Sequence, residues 1–138
     1  MKHINWSYTE SGVDKQLIVK FENDHNVIFP PDYVNLLCVS NGASPDKAIF
    51  SIGDDEFAVN YFLSWSSESD VSIISAYDHL AKEHSAKIIP FANDAFGNLI
   101  CFNFEKGKEN PTIEFWYHEQ DHFFFLANDF TSFLNMLH

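Results

Sequence analysis

The chain has 138 residues, of which 46% are hydrophobic and 17% aromatic, a composition that predicts a packed core and excludes a disordered chain. Its 20 acidic residues face eight lysines and no arginine, so the formal net charge is −12. Such a surface repels nucleic acid and lacks the bidentate clamp that arginine offers to phosphate, so we expect no direct binding of DNA or RNA.

The chain begins with two predicted helices. The first is predicted over residues 11–24, where four apolar residues recur at helical spacing: Val13, Leu17, Ile18 and Phe21. The second is predicted over residues 31–40, because a proline and an aspartate suit its first turn. Asn41 and Gly42 are predicted to end this helix, since both tolerate the left-handed conformation found at many helix ends.

Strands and a third helix are predicted after Pro45. Residues 48–53 and 57–65 have the composition of strands. The predicted turn between them consists of three acids: Asp54, Asp55 and Glu56. A third helix is predicted over residues 70–84, with the serines of residues 66–69 as its caps.

The second half of the chain predicts a sheet and a closing helix. Four apolar runs separated by polar turns are predicted strands: residues 86–92, 99–104, 112–118 and 123–127. Asp129 is predicted to cap a short helix whose apolar face consists of four residues: Phe130, Phe133, Leu134 and Leu137. The fold class is therefore α+β, as one domain over residues 1–138 with N-terminal helices, a central, mainly antiparallel sheet and a short C-terminal helix.

The cysteines and the N-terminal segment indicate the cellular compartment of the protein. Cys38 and Cys101 lie in apolar contexts outside any C-x-x-C motif, and we predict that both are reduced core residues. The segment MKHINWSYTE lacks the apolar region of a signal peptide, and no stretch has the length of a membrane span. These features predict a cytoplasmic protein that does not bind a membrane.

Residues 118–122 read His-Glu-Gln-Asp-His, the H-E-x-x-H string of zinc peptidases. That chemistry needs a helix, which places both imidazoles on one face while the glutamate polarises a zinc-bound water. The flanking residues are β-branched or aromatic and predict strands, so the string is predicted to be a turn. A hairpin still allows the two histidines to approach each other, but nothing in the spacing selects a third ligand. A zinc hydrolase using His118, Glu119 and His122 therefore stays a third alternative, and we predict no catalytic residue, cofactor or metal.

Four segments, in order, resemble the SUKH superfamily, which includes a fungal cell-wall-synthesis regulator and many bacterial proteins. They are FPPDYVNLLCVSNGASP (29–45), IIPFANDAFGNLICFNF (88–104), TIEFWYHEQ (112–120) and DFTSFLNML (129–137). The first segment carries the family's helix opening and its Asn-Gly stop: Pro30 or Pro31, Asp32, Tyr33, Asn41, Gly42 and Pro45. Asn103 departs from the pattern, since the family has an acid there. The resemblance accounts for His118 and Glu119 as residues that follow a strand, without zinc.

The resemblance implies a non-enzymatic binding domain, because bacterial members are commonly immunity proteins that neutralise a cognate toxin, often a nuclease. The negative charge serves ordinary solubility, or it covers the basic surface of such a toxin. The alternative is a regulatory scaffold like the fungal relative. We predict a monomer or weak homodimer. The predicted contact residues are turn acids with one of two aromatic anchors: Asp54, Asp55, Glu56, Glu68, Asp70, Glu119 and Asp121, with Tyr61 or Trp65. Five other aromatics are assigned to the core: Phe91, Phe115, Trp116, Phe130 and Phe133.

Overall fold

The computed structural model describes residues 3–138 and confirms the α+β class. Met1 and Lys2, which open the predicted leaderless N-terminus, lie outside the described residues. The helices are α1 (Lys15–His25), α2 (Pro31–Ser40), α3 (Ile73–Ala81) and α4 (Phe130–Met136). The strands are β1 (Trp6–Ser7), β2 (Ser44–Pro45), β3 (Ile49–Ile52), β4 (Asp55–Ala58), β5 (Tyr61–Phe62), β6 (Ile88–Asn93), β7 (Leu99–Asn103), β8 (Thr112–Tyr117) and β9 (His122–Ala127).

Side chains cap the starts of α1, α3 and α4, whereas α2 begins at a proline without a side-chain cap. The Asp129 carboxylate accepts a hydrogen bond from the backbone N–H of Ser132 at 2.8 Å, which confirms the predicted cap of α4. Helix α3 begins later than predicted, because Ser72 is its N-cap. The prediction that serines 66–69 cap α3 is therefore wrong; the hydroxyl of Ser66, for example, accepts from Glu68 N. None of the helices within residues 3–138 is long and apolar enough to cross a membrane.

The largest sheet has five antiparallel strands in the order β5-β6-β7-β8-β9. Its four long strands are those predicted after residue 86. Alternate side chains point to opposite faces, so one face carries Phe91, Phe102 and Phe115 into the main core. The other face carries Cys101 and Trp116 into a smaller cluster beneath the end of α3. The sheet therefore separates two apolar clusters and leaves its strand-connecting turns at its ends.

The single strand predicted over residues 57–65 is wrong, because the chain changes sheets in the middle of this segment. The backbone N–H of Val59 still donates to Ala48 O, whereas that of Asn60 donates to Asn93 O on β6. Strands β4 and β5 thus belong to different sheets. The turn is predicted to contain all three acids, but only the first of them lies in it. Gly53, with φ +61°, and Asp54 form the turn, and the next two acids belong to β4.

The two cysteines lie in different environments. Cys101 is fully buried, which confirms its core assignment, and burial raises the pKa of its thiol well above the usual value. Cys38 is exposed, so its assignment to the core is wrong. Tyr33, Leu37 and Ser40 form the buried side of α2. Cys38 follows Leu37 directly, and one residue along a helix turns the side chain about 100° away from that side.

The turn after α2 is built around a glycine and a buried asparagine. Gly42 adopts φ +66°, so it takes up the predicted left-handed conformation. Asn41 is extended and does not. The Asn41 side chain instead accepts a hydrogen bond from the backbone N–H of Trp65 at 3.0 Å. A Cβ added to Gly42 would lie 2.5 Å from Oε2 of Glu10. This turn therefore joins α2, the N-terminal segment and the residues after β5.

Replacing Gly42 with alanine is expected to lower the free energy of unfolding by about 2 kcal/mol, as measured by urea denaturation. One part of the loss comes from the positive φ angle. The other comes from displacing the Glu10 carboxylate, which accepts hydrogen bonds from the hydroxyls of Ser64 and Ser69 at 2.8 and 2.7 Å. Gly107→Ala is the matched control, because no atom lies within 4 Å of the added Cβ. Equal stability of the two variants would contradict this account.

Candidate partner-binding surface

The H-E-x-x-H string lies in a hairpin, which confirms the predicted turn. Strand β8 ends at Tyr117, residues 118–121 form the turn, and His122 opens β9 opposite Tyr117. The helical spacing that zinc-peptidase chemistry requires is therefore absent from this segment. Within residues 3–138, no group of three or more His, Cys, Asp or Glu side chains is placed to hold a metal ion.

His118 instead holds the neighbouring turn, residues 94–98, which we call the Phe96 turn. Its ring Nε2 lies 2.7 Å from Phe96 O, a contact in which the ring nitrogen must donate because the carbonyl oxygen only accepts. Its backbone N–H donates to Oδ1 of Asn98 at 3.0 Å. Gly97 adopts φ +91°, and a Cβ there would lie 3.2 Å from the same Nε2. The first residue of the string thus makes the structural contacts that hold the Phe96 turn.

A buried aspartate organises the Phe96 turn from within. Asp94 and Asn98 are 5% and 2% exposed. Oδ1 of Asp94 accepts from the backbone N–H groups of Phe96 and Asn98, both at 2.9 Å, and Oδ2 accepts from Nδ2 of Asn98 at 2.7 Å. Sequence reasoning treats these residues as ordinary turn formers and misses the network. The signal available in the sequence is a polar Asn-Asp pair and a Gly-Asn pair between two apolar strands.

The Phe96 side chain is 79% exposed at the tip of this turn. Within residues 3–138 no other aromatic ring lies against it, although aromatic contacts fill the core. The hydrogen bonds of the turn use the backbone N–H and the carbonyl of Phe96. The hydrogen bonds that hold the turn therefore do not involve the ring. Sequence reasoning gives Phe96 no role.

Two of the predicted contact acids meet beside the Phe96 turn, around Tyr117. The Tyr117 hydroxyl donates to Oε2 of Glu119 at 3.3 Å. The negative charge of Glu119 is the main cause that raises the pKa of Tyr117, and the charges of Asp55 and Asp94 raise it further. Strand β4 brings Asp55 close to Tyr117, because the ring of Phe57, two residues further along the strand, packs 6.1 Å from the Tyr117 ring. We call Asp55, Phe96, Tyr117 and Glu119 the acidic sheet end.

Three other predicted residues line one open concave surface of about 570 Å³. Tyr61, Glu68 and Asp70 face it together with Tyr8 and Glu10, and we call these five residues the acidic concavity. The backbone N–H of Tyr61 donates to the side chain of Asn93, the residue before Asp94. Sequence reasoning misses Tyr8, which is 78% exposed, and Glu10. Tyr61 therefore connects the acidic concavity to the end of β6, next to the Phe96 turn.

The remaining predicted acids lie apart from one another. Asp54 is exposed at the tip of the β3–β4 hairpin, and Oε2 of Glu56 lies 3.7 Å from Nε2 of His138. Asp121 accepts from the indole Nε1 of Trp116 at 2.9 Å, which is the main cause that lowers the pKa of its carboxyl. Nε2 of His84 lies 2.8 Å from the same oxygen of Asp121 and also lowers the pKa of this carboxyl. Asp121 therefore holds the β8–β9 turn against the end of α3.

Trp65 is 2% exposed, so the prediction of an exposed aromatic anchor there is wrong. Its indole Nε1 donates to the hydroxyl of Tyr33 at 3.1 Å, and its ring packs 5.5 Å from that of Phe29. The Tyr33 hydroxyl is fully buried, and burial raises its pKa. Both polar atoms of this pair are satisfied inside the core, which is why a tryptophan fits there. Tyr61 is half-buried on the acidic concavity and stays a candidate.

The fold and this surface define an acidic α+β domain that presents carboxylates and one rigid aromatic turn at the end of its sheet. Residues 12–136 match the SMI1 / KNR4 family (SUKH-1), and the chain belongs to this family, which typically includes toxin-immunity proteins. The predicted resemblance is thus confirmed.

The chain is similar to a Bacillus subtilis (strain 168) protein, "SPbeta prophage-derived uncharacterized protein YokK". The two sequences are 35% identical over 86 residues, which cover 59% of this chain and 42% of the relative. The match therefore spans less than half of the relative's length.

Proposed function

We propose that this protein is an immunity protein, which binds a cognate basic toxin and neutralises it by covering the toxin's active surface. The observation that carries the proposal is the pairing of Asp55 and Glu119 at the acidic sheet end and of Glu68 and Asp70 on the acidic concavity, on a chain of net charge −12 without arginine. Membership of a family that typically includes toxin-immunity proteins supports it.

The proposed mechanism is occlusion. A nuclease toxin holds nucleic acid through lysine and arginine side chains that contact phosphates. Carboxylates that take the place of those phosphates satisfy the same side chains and block access to the substrate. The residues proposed to contact the toxin are the predicted acids and one half-buried tyrosine: Asp54, Asp55, Glu56, Tyr61, Glu68, Asp70, Glu119 and Asp121.

Salt is expected to weaken this binding. The probe is the purified product of the gene that neighbours this protein's gene, with association and dissociation rates measured by surface plasmon resonance. Between about 0.1 M and about 1 M salt the screening length falls from about 10 Å to about 3 Å. We expect the association rate constant to fall at least about tenfold over that range, because opposite charge steers the encounter.

A matched pair of double variants locates the effect. Asp55→Asn with Glu119→Gln removes two charges from the acidic sheet end, and we expect slower association. Glu105→Gln with Glu109→Gln removes two exposed charges from the β7–β8 loop, at the opposite end of the sheet, and is the control. Equal effects of both pairs would assign the steering to net charge alone. Salt-insensitive binding would rule out the acidic mechanism, and binding that leaves the toxin active would favour a regulatory scaffold.

A further inference from the structure

We infer that Phe96 is the apolar anchor of the partner interface, a ring that enters an apolar pocket on a basic protein. The inference rests on the proposed function and adds to it the residue that holds the bound partner in place. Its starting observation is that the ring is 79% exposed, while ten phenylalanines and tryptophans are at most 2% exposed. A large apolar side chain that the fold does not use is available to a partner.

The fold presents this ring without needing it. Asp94 accepts from the backbone N–H of Phe96, His118 donates to the carbonyl of Phe96, and Asn98 donates to Asp94, so none of these bonds uses the Phe96 side chain. Gly97 keeps the ring of His118 close, because it has no Cβ to push that ring away. The turn is therefore built to fix the backbone that carries the ring.

A fixed backbone favours binding. A side chain on a preorganised turn has little backbone freedom left to lose when a partner orders it, so more of the contact energy contributes to affinity. Two of the three groups that fix the turn, Asp94 and Asn98, are buried and out of reach of solvent. Their hydrogen bonds are expected to persist while the partner approaches.

The charges around the ring indicate the chemistry of the partner. The charges of Glu119 and Asp55 raise the pKa of Tyr117. The turn that carries Phe96 is hydrogen-bonded to His118, which lies between Tyr117 and Glu119 in the β8–β9 hairpin. An apolar centre with a charged rim is the usual anatomy of an interface whose central residue dominates affinity. The rim here is acidic, so the complementary surface is a pocket surrounded by lysine or arginine side chains.

The test compares two exposed phenylalanines. Phe96→Ala is expected to weaken binding of the neighbouring gene product by at least about 30-fold, mainly through faster dissociation. Phe125→Ala is the matched control, since Phe125 is a second exposed phenylalanine. It is 59% exposed and lies on β9, the edge strand of the large sheet. We expect its binding to be unchanged. Both variants should keep the wild-type melting temperature, because neither ring is buried.

The outcomes separate the inference from the proposed function. Binding of Phe96→Ala at wild-type affinity, while the wild-type chain binds, overturns the inference and leaves the immunity role standing. Equal weakening of both variants also overturns it, since apolar surface in general would then be responsible. A wild-type chain that does not bind the neighbouring gene product overturns the proposed function together with the inference. Phe96→Trp, which keeps an aromatic ring, should retain more affinity than Phe96→Ala.

Discussion

Replacing Asp94 with alanine is expected to lower the free energy of unfolding by about 3 kcal/mol, because three hydrogen-bond donors lose a charged acceptor. The donors are the backbone N–H groups of Phe96 and Asn98 and the side-chain amide of Asn98. Asn98 is 2% exposed, so water does not readily replace the lost bonds. Urea denaturation measures the loss, and hydrogen exchange should show faster exchange at both backbone amides.

Asp54→Ala is the control for this variant. Asp54 is an exposed acid at the tip of the β3–β4 hairpin, and its removal should change the free energy of unfolding by less than about 0.5 kcal/mol. A loss below about 1 kcal/mol for Asp94→Ala would contradict the expectation and show that the turn relaxes to let water in. Folded Asp94→Ala should also bind the partner more weakly, because Phe96 is then carried by a loosened turn.

The central strands and the C-terminal helix are predictable from the sequence because local signals decide them. Strands β6 to β9 are apolar and β-branched or aromatic, and polar turns separate them. Asp129 caps α4 as predicted, because a cap depends on a bond to a residue three positions away. Where a local signal and the tertiary contact agree, the pattern is enough.

The elements that the sequence pattern misses or misplaces depend on contacts between distant residues. Strands β1 and β2 are two residues long and pair across the chain, Trp6 opposite Pro45, so they have no periodicity of their own. The break between β4 and β5 is set by Asn60, whose backbone N–H donates to Asn93 on β6. A continuous apolar run contains no mark of a change of partner strand. Propensity alone therefore predicts one strand where the fold has two.

The candidate surface is predictable in its chemistry but not in its arrangement. Acids in turns are readable from the sequence, and Asp55 and Glu119 lie together, but Asp121 is tied to Trp116. Trp65 lies in a strand-like run that gives no sign of its bond to Tyr33, which buries it. Exposure of Phe96 and burial of Trp65 both depend on which residues the fold brings opposite them, and single-sequence reasoning has no access to that.

Four aromatic residues from three of the family-like segments meet in the core. Tyr33 comes from the first of the four segments, Phe91 and Phe102 from the second, and Phe130 from the last. Their rings contact one another, with centroids 5.0 Å apart for Tyr33 and Phe102 and 5.7 Å apart for Phe91 and Phe130. These ring contacts therefore hold the core of the fold together. Under the proposed function, the choice of partner falls to exposed residues outside this ring cluster, such as Phe96.

Replacing Phe102 with alanine is accordingly expected to have the largest effect on stability, a loss of about 4 kcal/mol in the free energy of unfolding measured by urea denaturation. Phe102 is fully buried and stacks on Phe91 at 4.3 Å, so truncation removes apolar burial and leaves a cavity among aromatic rings. Such a loss is a large part of the stability of a domain this size.

Two control variants test whether the loss of stability comes from packing in the core rather than from the loss of a phenylalanine as such. Phe102→Leu keeps most of the volume and should lose about 1.5 kcal/mol, whereas the exposed Phe125→Ala should change stability by less than about 0.5 kcal/mol. A loss below about 2 kcal/mol for Phe102→Ala would show that neighbouring rings collapse into the space. At a temperature where Phe102→Ala remains folded, it should bind the neighbouring gene product with wild-type affinity. Phe96→Ala should show the reverse pattern, because the fold depends on the core ring and the partner depends on the exposed one.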